Sequence, residues 1–184
     1  DVVCSARSAS EVEAVAAEVR ALGRRALAIP CDVTDSQQRQ ALVERSREEM
    51  GRITHLVNNA GGGGPNDPLQ MTPEQFDEIL RFNVSSTYAF CQLCVPLMRE
   101  AGGGNIVNIS SVAARYAQRH FSAYGSAKAA LSHLTRLLAH RDTTDTTWTG
   151  KYNYHPLDNP WIDLQLSYSD ARTEQLDRRE DTAF

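Results

Sequence analysis

The chain has 184 residues, a net charge of −4 and a hydrophobic content of 41%, which is ordinary for one globular domain with its own core. Its mildly acidic balance argues against nucleic-acid and membrane-surface partners. No apolar run approaches the roughly 18 residues that a membrane span needs, and no secretory signal pattern begins the sequence. We therefore expect a cytoplasmic protein with no nucleic-acid or membrane partner.

The cysteines favour a reducing compartment. Cys4, Cys31, Cys91 and Cys94 are scattered among periodic segments, which is typical of reduced thiols rather than of a disulfide framework. Cys91 and Cys94 lie in a helical pattern without a second ligand pair, so the sequence predicts no metal site.

Helix starts are marked by three capping boxes, in which a Ser or Thr is followed three residues later by Glu or Gln. The pairs are Ser8/Glu11, Thr34/Gln37 and Thr72/Gln75. The patterns predict four strands, at residues 1–5, 26–29, 53–57 and 106–109. Helices alternate with them: one ends at Gly23, one runs from Thr34 to about Met50, and one spans about 123–139. A longer helical region from Thr72 to about Glu100 is expected to be bent or interrupted near Pro96.

Alternating strands and helices of these lengths predict an α/β fold with a parallel sheet covered on both faces. The character of the sequence changes at about Arg141. We expect a domain at residues 1–140 and a divergent, weakly structured tail at residues 141–184. Within that tail, residues 161–168 favour a strand and residues 169–179 a polar helix.

The stretch at residues 105–128 carries the chemistry. An apolar strand ends in Ser110 and Ser111, and Tyr124 and Lys128 lie four apart on one face of the next helix. A fixed ammonium favours the ionised form of a nearby phenol, so the pair suits proton exchange. A hydroxyl from Ser111, at the carboxyl end of a strand, could hold a substrate oxygen. This combination favours interconversion of alcohols and carbonyls.

An ordered set of motifs resembles the short-chain dehydrogenase/reductase family. It consists of Asn58-Asn59-Ala60-Gly61, Asn83, Ser111 and Tyr124-x-x-x-Lys128. The resemblance covers residues 1–140 and implies a Rossmann-like, doubly wound parallel sheet. Within the family, residues 58–65 and 129–134 are most similar to bacterial 7α-hydroxysteroid dehydrogenases.

The resemblance implies catalytic roles for Asn83, Ser111, Tyr124 and Lys128. Tyr124 would be the general acid/base, and Lys128 would support it and bond the nicotinamide ribose. Ser111 would orient the substrate oxygen, and Asn83 would hold a water in the proton relay. Asn83 could instead be a buried amide that bends its helix. Ser110 is expected to be a strand-end hydroxyl bonded to the backbone. The substrate would be a hydroxysteroid or another secondary alcohol or ketone, including a 3-oxoacyl thioester.

A second set of residues would bind the cofactor. Asn59, Ala60 and Gly61 match the turn that approaches it, while Asp32 and Val33 match the adenine edge, although Asp32 could instead cap a helix. At the end of the first strand Ala6 replaces the acid typical of NAD-selective folds, and Arg7 follows.

This arrangement favours NADP(H) over NAD(H), which stays possible. The alternative for Arg7 is a solvated loop cation.

Parts of the family pattern are missing from the sequence. The strand and TGxxxGxG turn that normally begin the family are absent, and so is the pattern that follows His140. Without that strand, either the sheet closes by direct pairing, the tail fills the gap, or the chain is a fragment or a truncated product, which we favour.

The sequence leaves alternatives open for both the function and the oligomeric state. The chain could be a remnant or interaction module that no longer holds a dinucleotide, or, least favoured, a nucleotide-sensing regulator. By resemblance, the helix at residues 76–98 and the helix beginning near Tyr124 would form a homodimer or homotetramer. Ordinary packing of these helices on the sheet is the alternative.

Overall fold

A computed structural model describes residues 1–138 and the backbone of two later strands, at residues 151–154 and 164–169. The first part alternates strands and helices as expected. Its elements are β1 (Val2–Cys4), α1 (Ala9–Ala21), β2 (Ala26–Ala28), α2 (Ser36–Met50), β3 (His55–Asn58), α3 (Pro73–Leu80), α4 (Ser86–Glu100), β4 (Gly104–Ile109) and α5 (Ser122–Leu138), followed by β5 (Lys151–Tyr154) and β6 (Leu164–Ser169).

The strands form two sheets. β1 pairs in parallel with β2, and β3 pairs in parallel with β4, which confirms the predicted parallel pairing. β6 pairs antiparallel with β4 on the edge away from β3, and β5 pairs with β6. Direct pairing of β1 with β3, and a tail strand between them, therefore do not occur among the described strands.

The tail contributes backbone structure at two places. The favoured strand at residues 161–168 corresponds to β6, whereas β5 was not predicted. Of the polar helix expected at residues 169–179, Ser169 ends β6 and the remainder lies outside the described residues.

The capping residues are largely those that the sequence predicts. Ser8 caps α1, and Thr72 and Gln75 form a complete capping box at α3. The prediction for α2 was wrong by one residue, because Asp35, not Thr34, accepts the first free N–H groups. The Thr34 hydroxyl is instead donated to the Asp32 carboxylate, at 2.7 Å.

The expected interruption of the helical region near Pro96 was also wrong. Pro96 lies inside a continuous α4, and the irregular turn is a π-helical segment, Arg81–Ser85, between α3 and α4. The Asn83 side chain donates to the Ile79 carbonyl at 2.9 Å. This side-chain bond replaces part of the regular helix ladder, a known cause of helix distortion.

The core lies between α2, α4 and the strands β2 to β4, and Met98 and Ile106 are its most deeply buried large side chains. The four cysteines are free. Burial raises the pKa of both Cys91 and Cys94 to about 12, so these thiols pack as small apolar groups. Within the described residues, the helices fall short of the length and hydrophobicity that a transmembrane segment needs.

Gly104, at the start of β4, allows β4 to pack tightly in the core. A Cβ atom there would lie 2.7 Å from both the Met98 side chain and the Thr54 carbonyl oxygen. We expect Gly104→Ala to lower the free energy of unfolding by about 1–3 kcal/mol, as overpacked cores do. Gly64→Ala is the matched control, since a Cβ atom at Gly64 would meet no atom within 4 Å. Equal melting temperatures for the two variants would contradict the expectation.

Candidate active site

Lys128 is bound through both its side chain and its backbone by Ile109, the last residue of β4, and by Ser110, which follows it. Its ammonium donates to the Ile109 carbonyl at 2.8 Å. Its own backbone carbonyl accepts from the Ser110 hydroxyl at 3.2 Å. The Ser110 hydroxyl also meets the Ser132 hydroxyl at 2.6 Å. The Ser110–Lys128 bond confirms the prediction that Ser110 bonds to the backbone. Together these bonds fix α5 against the end of β4.

Ser111 follows this anchor and begins a short 3-10 turn, Val112–Ala114. Its side-chain oxygen accepts from the Ala113 N–H at 3.2 Å. The residue is buried, and its hydroxyl proton has no acceptor among the described residues. A buried hydroxyl with a free donor is suited to a ligand oxygen.

Tyr124 lies in the first turn of α5, beside the 3-10 turn. Two glycines permit this close packing. A Cβ atom at Gly125 would lie 3.0 Å from the Ala113 carbonyl, and one at Gly63 would lie 3.0 Å from the Tyr124 Cβ. The Phe121 ring packs edge-on against Tyr124, with 6.1 Å between centroids. The Tyr124 hydroxyl has no hydrogen-bond partner among the described residues.

The ammonium of Lys128 lies 5.9 Å from the centroid of the Tyr124 ring. Lys128 is only 3% exposed, and burial lowers its pKa to about 8. Desolvation disfavours the charged form of a buried amine, which explains the direction of this shift. Apart from the bond to Ile109, its N–H groups have no acceptor in the part of the chain that the structure describes.

Asn83 is fully buried in the π-helical segment. It connects this segment to the loop at residues 59–71, between β3 and the cap of α3, which we call the glycine loop. Its amide nitrogen donates to the Gly62 carbonyl at 2.8 Å, and its oxygen accepts from the Gly62 N–H at 3.0 Å. The second amide hydrogen goes to Ile79. Asn83 is therefore a buried amide in an irregular helical turn, and its relay role stays a prediction.

The loop that Asn83 holds passes directly over Lys128. A Cβ atom at Gly61 would lie 2.7 Å from the Asn83 Oδ1 and 3.0 Å from the Lys128 Nζ. Only glycine permits this approach, so Gly61 belongs to the same site as Lys128. Asn59 and Ala60 are exposed on the same turn, immediately after β3.

The other predicted cofactor residues lie around the end of β2. Asp32 accepts from the backbone N–H and the hydroxyl of Thr34, and these bonds, together with the charges of Arg7 and Arg81, lower its pKa. Asp32 is therefore not the helix cap. Arg7 is exposed and makes no hydrogen bond or ion pair within the described residues. Val33 packs against the edge of the core.

Sequence reasoning missed a buried polar row beneath the site. Asn58 donates to the Asn108 side chain at 2.8 Å, and Asn108 donates to the Thr135 hydroxyl at 2.9 Å. The row connects β3, β4 and α5. An asparagine inside an otherwise apolar strand was the available signal, because a buried amide needs partners.

Comparisons with known proteins agree with this geometry. A sequence model of the short chain dehydrogenase family matches residues 1–145. The 7α-hydroxysteroid dehydrogenase of Escherichia coli K12 is 40% identical over 138 residues, which cover 75% of this chain and 54% of that protein. An uncharacterized oxidoreductase of Mycobacterium tuberculosis is 41% identical over 140 residues, covering 76% and 53%. The chain belongs to the short chain dehydrogenase family of NAD(P)-dependent oxidoreductases.

Solved structures show the same relationship. A 7α-hydroxysteroid dehydrogenase complexed with NADH and 7-oxo glycochenodeoxycholic acid matches with a TM-score of 0.73 and 40% identity, over 76% of this chain and 54% of that one. A short chain dehydrogenase from Mycobacterium smegmatis matches with a TM-score of 0.72 and 35% identity, over 76% and 59%. The resemblance and the Rossmann-like fold are thus confirmed. The chain spans about half the length of the curated relatives it matches.

The residues present fit a dinucleotide at two places, beside Lys128 and around Asp32. The Lys128 N–H donors that have no described acceptor suit the hydroxyls of a nicotinamide ribose. Asp32 and Arg7 suit the adenosine end. Within the described residues, no glycine-rich turn leads from a strand directly into a helix N-terminus, so no pyrophosphate cradle is seen there.

The burial of Lys128 predicts a pH dependence of stability. Between its lowered pKa of about 8 and its ordinary value of 10.5, the unfolded chain binds more protons, so stability rises with pH. The destabilisation of the folded state by the buried, charged Lys128 is fully present below about pH 8. We therefore compare the free energy of unfolding of Lys128→Met with that of the wild type at each pH. We expect the variant's advantage to be about 3 kcal/mol larger at pH 7.5 than at pH 11, from about 1.4 kcal/mol per pKa unit.

The measurement is denaturant unfolding of both proteins at the two pH values. Arg136→Met removes an exposed cation from the same helix and is the control, for which we expect no such pH-dependent difference. A Lys128→Met difference that is constant with pH would contradict the expectation.

Proposed function

We propose that the protein transfers hydride between NADP(H) and a secondary alcohol or ketone, with Tyr124 as general acid/base. The observation that carries the proposal is a set of unused hydrogen-bond donors at the end of β4 and the start of α5. The Ser111 hydroxyl, the Tyr124 hydroxyl and the Lys128 ammonium all keep donors without described acceptors. Buried or half-buried donors of this kind are normally satisfied, here by a ligand.

In the reductive direction, Ser111 and Tyr124 would donate hydrogen bonds to the ketone oxygen. Tyr124 would then give its proton to that oxygen, while the reduced nicotinamide supplies the hydride to the carbon. The Lys128 ammonium would stabilise the phenolate that remains. In oxidation the phenolate would take the proton back.

Asn83 has a limited place in this scheme. Both of its amide hydrogens are already donated, to Gly62 and Ile79. Its oxygen accepts one bond and has a second lone pair for a relay water. Its main contribution is to hold the glycine loop over Lys128.

Arg7 supports the preference for NADP(H). It is an exposed cation without a described partner, close enough to Asp32 to lower the pKa of that carboxyl. A guanidinium at this position suits a 2′-phosphate. A related solved structure contains NADH, so the cofactor of this chain has to be measured.

The substrate is a hydroxysteroid-like or 3-oxoacyl-like alcohol or ketone. A relative named 7α-hydroxysteroid dehydrogenase supports the first class. A Mycobacterium tuberculosis relative that is 38% identical over 141 residues is named as the reductase of an indene-carboxyl-CoA, which supports a CoA thioester as substrate. We place the protein in the cytoplasm on its free cysteines. We also propose a homodimer or homotetramer built through α4 and α5, on which Tyr88 and Leu137 are exposed.

A second candidate is a non-catalytic remnant or interaction module. Calorimetry of NADPH with the chain separates the two. Micromolar binding supports the oxidoreductase, and no binding at millimolar NADPH supports the remnant.

We expect Tyr124→Phe to lower kcat for ketone reduction by about 10²–10⁴, the usual contribution of general acid/base catalysis. The dissociation constant for NADPH should stay nearly unchanged, because the ring and its packing remain. Tyr88→Phe, on the exposed face of α4, is the matched control and should keep full activity. Undiminished turnover by Tyr124→Phe would overturn the mechanism.

We expect Arg7→Ala to weaken NADPH binding about tenfold or more while leaving NADH binding unchanged, since a charge-assisted bond to phosphate contributes roughly 1.5–3 kcal/mol. Arg24→Ala, in the exposed loop after α1, is the control and should change neither. Tighter binding of NADH than of NADPH by the wild type would refute the assignment.

A further inference from the structure

The loop between the two catalytic hydroxyls forms one rim of the site. We define this rim loop as residues 115–121, which lie between the 3-10 turn after Ser111 and the helix that carries Tyr124. Most of the rim loop is exposed. The proposed mechanism uses none of its side chains.

The rim loop is basic in an acidic protein. The chain contains 23 Asp and Glu residues, yet residues 101–140 contain none. The rim loop itself carries Arg115, Arg119 and His120. Arg119 is exposed and makes no hydrogen bond or ion pair within the described residues. Cations without local counter-charges attract an anionic ligand.

The rim loop is tied to the opposite side of the site. The Asn66 N–H donates to the His120 carbonyl at 2.7 Å, which joins the rim loop to the glycine loop that packs on Tyr124. His120 has a left-handed φ of 67°, a conformation that costs about 1 kcal/mol or more outside glycine. The contact therefore fixes the rim loop close to the reacting hydroxyls.

Acidic groups on the facing elements form no ion pair with Arg119 among the described residues. Asp67, in the glycine loop, accepts from the Leu69 N–H through its carboxylate. Asp77, on α3, lines the neighbouring groove with Ser122. Neither carboxylate forms an ion pair with Arg119 or His120 in the described structure.

The same rim exposes apolar surface. Tyr116 is 67% exposed in the rim loop, and Leu69 is 89% exposed in the facing loop. Apolar side chains at the edge of a binding site can contact the apolar body of a ligand. Together with the cations, they suit an amphiphilic anion.

We propose that the site takes an alcohol or ketone whose apolar body carries an anionic group, bound by the rim loop and chiefly by Arg119. The anion is a carboxylate or phosphate at the end of the substrate remote from the reacting carbon. This substrate class rests on the proposed function.

The test compares matched pairs of ketones. One pair is 7-oxo glycochenodeoxycholic acid and the neutral amide of its carboxyl group. The other is a 3-oxoacyl-CoA and its N-acetylcysteamine thioester, which lacks the phosphates. We expect at least one anionic member to have a kcat/KM about tenfold higher than its neutral partner, through KM rather than kcat, as expected for one charged contact. Which pair shows the preference identifies carboxylate or phosphate.

Arg119→Glu should abolish this preference, and Arg119→Gln should reduce it. Arg136→Glu makes the same charge change in the same acid-free segment. It lies 12 residues beyond Tyr124 along α5, about 18 Å away, and should keep the preference. Equal kcat/KM within both pairs, or a preference that survives Arg119→Glu, would overturn the proposal.

The two proposals fail in different ways. Turnover of anionic and neutral ketones at equal efficiency keeps the oxidoreductase and overturns the anion site. If no ketone is turned over, the oxidoreductase fails, and calorimetry of the same pairs decides the anion site. Tighter binding of an anionic member that Arg119→Glu removes would support the site, and equal or absent binding of both members would overturn it.

Discussion

The site depends on the way that the end of β4 fixes Lys128. Ile109 and Ser110 bind the ammonium and the backbone carbonyl of the same lysine, and Ser111 comes next along the chain. These bonds set the position of α5 relative to β4 at Lys128 itself. Tyr124, one turn earlier on the helix, lies beside the 3-10 turn that follows Ser111. Burial of the lysine destabilises its charged form, and a ligand that accepts its remaining hydrogen bonds would offset that destabilisation.

Glycines and amides complete the same arrangement from the other side. Gly61 and Gly63 bring the loop after β3 into contact with Lys128 and Tyr124, where any Cβ atom would collide or crowd. Asn83 holds that loop by two hydrogen bonds to Gly62 and makes a third to Ile79, within an irregular helical turn. Distortion of this kind is typical of functional positions. The polar row through Asn108 then keeps β3, β4 and α5 together below the site.

The periodic patterns predicted the parallel pairs and the helices because amphipathic spacing and capping are local properties. Local rules failed where two groups competed for one role. Asp35, and not Thr34, caps α2, while the Thr34 hydroxyl donates to Asp32. The helical region was expected to be interrupted or bent near Pro96, but the interruption lies at Asn83, whose partner Gly62 lies far from it along the chain. The choice of β4 as partner for β6 likewise has no local signal.

The sequence by itself determined the family and the alternating architecture, and it led to the proposed catalytic set of Ser111, Tyr124 and Lys128, since each is expressed in residue types at fixed spacing. Only the tertiary structure decided how these residues are held: Lys128 clamped by β4, Asn83 joined to Gly62, and the rim loop joined to Asn66. These contacts join segments that are distant in sequence. Their geometry follows from packing of the whole fold, which no spacing of residues encodes.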